Sequence, residues 1–110
     1  MKYRIHPAAE QEAEQAAEWY GERAPALAIE FARQHQLAID WIIQSPRRYP
    51  LAEDAPEGVE CRNMTHLGRF PYRIVYAIFG DEIYFVAAAH HHQRPGYWHT
   101  RLTDSPPEVP

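Results

Sequence analysis

Two apolar runs, Phe70–Phe79 and Glu82–His92, meet at Gly80-Asp81. A two-residue loop with glycine first is a β-hairpin turn, so the runs are predicted to be adjacent antiparallel strands. The turn also fixes an expected register. Phe79 faces Glu82, Tyr76 faces Phe85, Ile74 faces Ala87 and Arg73 faces Ala88. Side chains alternate between the faces of a sheet. One face then holds Tyr72, Ile74, Tyr76, Ile78, Ile83, Phe85, Ala87 and Ala89. The other holds Arg73, Val75, Ala77, Tyr84, Val86, Ala88 and His90, with His92 joining if the strand stays extended.

The apolar face of such a hairpin needs a cover, and the N-terminal half supplies one. Lys2–His6 alternates like a short strand and stops at Pro7, a residue suited to the first turn of a helix. From Pro7 to Glu22, Ala9, Ala13, Ala16 and Tyr20 recur at helical spacing. Gly21 and the stretch to Pro25 are expected to break that helix. A second helix fits Pro25 to about Gln44, with Phe31, His35, Ile39 and Ile42 on one face, and Ser45-Pro46 ends it. Residues 46–58, PRRYPLAEDAPEG, read as a loop. Glu60–Leu67 is a further strand, with Gly68-Arg69 as a turn into Phe70. The order β-α-α-β-β-β predicts an α+β domain over residues 1–102. A helical hairpin packs on one face of a largely antiparallel sheet of three to four strands. Residues 103–110 read as a disordered tail.

Composition excludes several classes. No apolar run reaches the roughly 18–20 residues a membrane span needs, and the N-terminus lacks an apolar signal core. Cys61 is the lone cysteine, which fits a reducing cytoplasm. A net charge of −4 argues against non-specific wrapping of nucleic acid. The acidic residues concentrate at Glu10, Glu12, Glu14, Glu18 and Glu22, which read as a solvated helix face. Arg62, Arg69, Arg73, Arg94 and Arg101 lie in the C-terminal half with most of the histidines.

Counting across Gly68-Arg69 sets Met64 opposite Arg73 and puts Arg62 and His66 on Arg73's face. Arg62, His66, Arg73, His90 and His92 are then expected to converge on the sheet face away from the helices. Arginine offers a planar fork to phosphate or carboxylate, and histidine moves protons near neutrality. His90-His91-His92 lacks the further ligands and the spacing of a zinc site, so no metal or other cofactor is expected. Trp98 and Tyr97 fit either a stacking surface or a cap on the core.

Several segments resemble one known family. HPAAEQEAEQAAEWY, SPRRYP, RFPYRIVY and the run from the last histidines into QRPGYWHTR are together similar to the RelE/ParE superfamily of type II toxin–antitoxin toxins. The likeness spans about residues 3–102 and is nearer the ParE-like, plasmid-stabilisation branch. It implies a small cytoplasmic bacterial toxin with a cognate antitoxin as partner. A ParE-like member inhibits DNA gyrase by protein–protein contact. A RelE-like member is a metal-independent mRNA endonuclease acting on the ribosome, for which the resemblance implies Arg73, His66, His92 and Tyr97 as catalytic residues. Arg62, His90, Arg94, Trp98 and Arg101 are the expected binding surface. A third possibility is a degenerate module that binds antitoxin without toxicity.

Overall fold

The computed structural model describes residues 1–104. Strand β1 (Lys2–Ile5) leads into α1 (Pro7–Arg23) and α2 (Pro25–Gln44), then β2 (Cys61–Met64), β3 (Tyr72–Phe79), β4 (Glu82–His90) and a short 3-10 helix, His99–Thr103. The sheet order is β1-β4-β3-β2, with β1 parallel to β4 and the other pairs antiparallel. This is the α+β architecture expected from the sequence. The expected tail lies, from residue 105 on, outside the described residues. Thr103 closes the 3-10 helix, and the Asp104 carboxylate lies 3.0 Å from His6 Nε2.

The helices begin and end where local chemistry dictates. His6 caps α1 by accepting the Ala8 N–H at Nδ1, 3.0 Å away, and Pro7 occupies the first turn. A capping acceptor satisfies one of the N–H groups that a helix start leaves without a partner. Gly21 does not break the helix. A Cβ there would lie 3.0 Å from the Ala28 Cβ, so glycine lets α1 and α2 cross closely. The break falls at Ala24, which is extended between the two helices.

Helix α2 lays Phe31, Ala38, Ile39 and Ile42 against Ile74, Tyr76, Ile78, Ile83 and Phe85 of the sheet. Tyr20, Phe31, Phe70 and Tyr72 form an aromatic knot, with ring centroids 4.7–6.4 Å apart. Phe31 and Ile42 are fully buried, each worth roughly 1.5–3 kcal/mol of burial.

The register departs from expectation twice, each time by one residue. The Gly80-Asp81 turn is present, with Phe79 opposite Glu82 and Tyr76 opposite Phe85. Beyond it the ladder slips between Val75 and Tyr76. Val75 pairs with Ala87, leaving Val86 as an extra residue. Such a bulge shifts the alternation that follows. Ala87 and Ala89 therefore join the core on the far face, away from the helices. Ile74 faces Ala88, Arg73 faces Ala89, and Tyr72 faces His90.

The second slip arises at Pro71. Leu67 does bridge Phe70 around Gly68-Arg69. Pro71 has no N–H to continue the ladder, and Tyr72 N–H instead bonds to the Phe70 carbonyl at 2.8 Å. That tight turn absorbs one residue. Met64 thus pairs with Ile74, and Arg62 pairs with Tyr76, so Arg62 belongs to the helix-side face and Asn63 takes the position expected for it.

Candidate functional site

The far face of the sheet carries small side chains, Ala77, Ala87 and Ala89, around Val75, Tyr84 and Val86. No helix of the hairpin covers it. Two irregular segments do: the loop after α2 and the chain after β4. Trp98 from the second segment is fully buried among these alanines. It caps this core and offers no stacking surface.

Arg73 rises from β3 beneath both segments. Its Nη1 and Nη2 donate to Asp54 Oδ1 and Oδ2 at 3.0 and 2.5 Å, and Nη1 also reaches Asn63 Oδ1 at 3.3 Å. Asp54 Oδ2 further accepts the Gly96 N–H at 2.8 Å and Trp98 Nε1–H at 3.2 Å. Its carbonyl accepts a hydrogen bond from His99 Nε2. The Asp54 and Arg73 side chains are 12% and 19% exposed. Burial alone would raise the Asp54 carboxyl. The hydrogen bonds from Arg73, Gly96 and Trp98, together with the arginine charge, outweigh it and hold the pKa at about 2. The Asp54 carboxylate is thus ionised throughout the physiological range, and its pairing with Arg73 joins both covering segments to the sheet.

A second polar knot stands at the edge of β4. Strand β1 ends opposite Phe85, so the β4 edge beyond needs other partners. Glu12 of α1 accepts the Ala88 N–H at 3.2 Å, and Arg101 Nη1 donates to the Val86 carbonyl at 3.0 Å. Both backbone groups flank the bulge and would otherwise lack strand partners. Glu12 and Arg101 also pair with each other at 2.7 Å, with side chains 17% and 16% exposed. Tyr97 donates its hydroxyl to Glu12 Oε2 at 2.6 Å. Burial, then the Glu12 bond and charge, push the Tyr97 phenol upward, so it stays protonated.

The remaining expected residues scatter. His66 and Arg73 line a cleft of about 680 Å³ with His91, Asn63 and Asp54, whereas the bulge turns His90 to the helix side, its ring 5.0 Å from that of Tyr72, so that it only borders this cleft. His92 is exposed beside His90, ring centroids 4.9 Å apart. Burial, and then the charges of His92 and His91, hold His90 below the usual histidine range. Arg62 lies on the opposite face, donating to Glu60 at 2.8 Å and to the Tyr49 carbonyl at 2.8 Å. Arg94 is exposed, whereas Arg101 and Tyr97 are bound to Glu12. Among the described residues no group of three or more His, Cys, Asp or Glu side chains is placed to hold a metal ion. No described helix is long and apolar enough to cross a membrane.

Sequence reasoning missed the two carboxylates that organise all this. Asp54 sits in a proline-rich loop without periodicity. Glu12 carried a signal: it falls between Ala9 and Ala16 at helical spacing, on the helix's buried stripe. Comparison with curated proteins finds no significant match. Residues 3–95, which include the helical hairpin, the Asp54–Arg73 pair and all of the sheet but Lys2, match the family described as the ParE toxin of the type II toxin–antitoxin system parDE, and the chain belongs to that family.

Proposed function

We propose that the chain is a ParE-type toxin of the bacterial cytoplasm that inhibits DNA gyrase by protein–protein contact and is neutralised by a cognate antitoxin. The observation that carries this reading, over that of an mRNA endonuclease, is the commitment of the nuclease-type groups. Both terminal nitrogens of Arg73 are bound to Asp54, and the Tyr97 hydroxyl is bound to Glu12. Neither group is presented to a phosphodiester. The net charge of −4 adds repulsion from a phosphate backbone.

The test is growth and supercoiling together. Expression is expected to arrest growth with transcripts intact, and the purified chain to block gyrase supercoiling. Unaltered supercoiling at high toxin:gyrase ratios sinks the gyrase reading. Cleaved transcripts identify the ribosome-dependent endonuclease instead, with Arg73, His66, His92 and Tyr97 as its residues. The cleft shared by Arg73 and His66 is the observation that favours this second reading. No growth effect with antitoxin binding intact identifies a non-toxic binding module.

For the antitoxin, the groove between β1 and the helical hairpin has the right chemistry. Ile5, Ala13, Ala17, Phe31 and Ile39 line it, with Glu10 and Glu14 at its side. The Lys2 N–H bonds to the Asp81 carbonyl in the turn before β4 and the His6 N–H to the Phe85 carbonyl of β4, so the main chain of Tyr3 faces outward at the sheet edge. An added strand with apolar and basic side chains fits such an edge. Tyr3→Pro with Ala17→Glu is expected to weaken antitoxin binding at least about tenfold, or about 1.4 kcal/mol. Unchanged affinity in a titration counts against this groove.

A further inference from the structure

The Asp54 carboxylate is held by donors that none of its own loop supplies. Arg73 comes from β3, and the Gly96 N–H and Trp98 Nε1 come from the segment after β4. These donors are positioned by other contacts. Asn63, 7% exposed, accepts from Arg73, and Trp98 is packed on all sides. Gly96 has φ +74°, and a Cβ there would lie 2.8 Å from the His99 ring. Only glycine brings its N–H to this point without strain. Take away the Asp54 side chain and what remains is a cationic fork with two convergent N–H groups. That is the geometry of an oxyanion site.

We propose that Arg73, the Gly96 N–H and Trp98 Nε1 form an oxyanion-binding site, and that Asp54 is its resident self-ligand, an autoinhibitory plug that closes the site to external carboxylate and phosphate. The cleft of about 680 Å³ beside it, lined by His66, His91, Asn63 and Thr65, is the entry path. A tethered occupant competes at an effective concentration in the millimolar range or above. Its carboxyl stays charged down to about pH 2, so the resident ligand is itself an anion at neutral pH. The proposal goes beyond the gyrase reading, and neither result decides the other.

The experiment is an NMR titration of the full chain carrying Asp54→Ala, with sodium formate and with inorganic phosphate, each against sodium chloride at matched ionic strength. The Trp98 indole and Gly96 amide signals are expected to shift saturably, with half-saturation on the order of 10 mM. The half-exposed Trp19 and Trp41 serve as controls that stay still. Wild type shows no such shift, and Arg73→Ala in the Asp54→Ala background abolishes it. A response to either anion supports the site, and a response to one alone names its class. No saturable shift, an equal shift in wild type, or a shift that survives loss of Arg73 overturns it; the last marks an adventitious ion only. Should Asp54→Ala fail to fold in chloride, recovery of its far-UV signal by formate that is lost again on adding Arg73→Ala supports the proposal; no recovery, or recovery that survives Arg73→Ala, overturns it.

Discussion

The two faces of the sheet are held by different physics. The helix-side face is covered by regular elements that bring Phe31, Ile39 and Ile42 onto Ile74, Tyr76 and Phe85. Its stability comes from apolar area and aromatic packing. The far face is covered by irregular chain that has no amphipathic stripe to offer. Alanines let that chain lie close, and buried ion pairs fasten it: Asp54 to Arg73, and Glu12 to Arg101 at the strand edge. Irregular backbone can be held on a core, but it must be held at particular points. Replacing one partner of such a pair leaves a buried charge unmatched, which no local apolar adjustment repairs.

The contrast can be broken most sharply at Asp54. Asp54→Ala is expected to lose about 3–5 kcal/mol at pH 7 in denaturant unfolding. Phe31→Ala should lose a similar amount, about 3–5 kcal/mol, by leaving a cavity. The two losses separate in acid. The Asp54 carboxyl lies below its ordinary 3.8, at about 2. Its contribution is complete above the unfolded value and is lost as pH falls from about 4 toward 2. Wild type and Phe31→Ala are therefore expected to lose on the order of 2 kcal/mol over that window. Asp54→Ala lacks this increment, and an unchanged acid profile in that variant would show that the far face is not held this way.

Smaller effects sharpen the picture. Tyr97→Phe removes one hydrogen bond to a charged acceptor and leaves Glu12 paired with Arg101, so about 1.5 kcal/mol should go. A loss near zero would assign the edge to Arg101 alone. Arg69→Ala breaks a pair with Glu30 whose side chains are 64% and 39% exposed. It should change stability by no more than about 0.5 kcal/mol in thermal unfolding, which marks the difference between an ion pair at the surface and one that anchors a loop.

Much of the fold was legible in the sequence because it rests on periodicity. Both helices, the Gly80-Asp81 turn and the strand order along the chain follow from spacing, proline and glycine. The candidate site was legible only in part, because it rests on register. A γ-turn at Pro71 moved Arg62 to the other face, and the extra Val86 moved Ala88 and His90. Alternation cannot announce a bulge, since the inserted residue is apolar like its neighbours. Arg73 remained on the far face, as expected from the hairpin, because the extra residue, Val86, lies on β4 and leaves the alternation of β3 itself intact. Its partner could not be read, since Asp54 lies in a loop whose position depends on the finished sheet.

Strand β1 pairs with β4, so Lys2 waits for Glu82 and Glu12 waits for Arg101. Proteins are synthesised from the N-terminus at roughly 5–20 residues per second, so the first strand is without its neighbour for roughly 4–16 s. During that interval the apolar stripes of the α1 and α2 segments have no sheet to pack against. Closure comes only when Tyr97, Trp98 and Arg101 have been made. The order of translation therefore leaves the fastening of the far face until last: Asp54 and Glu12 have no partners until Arg73 and Arg101 have been made.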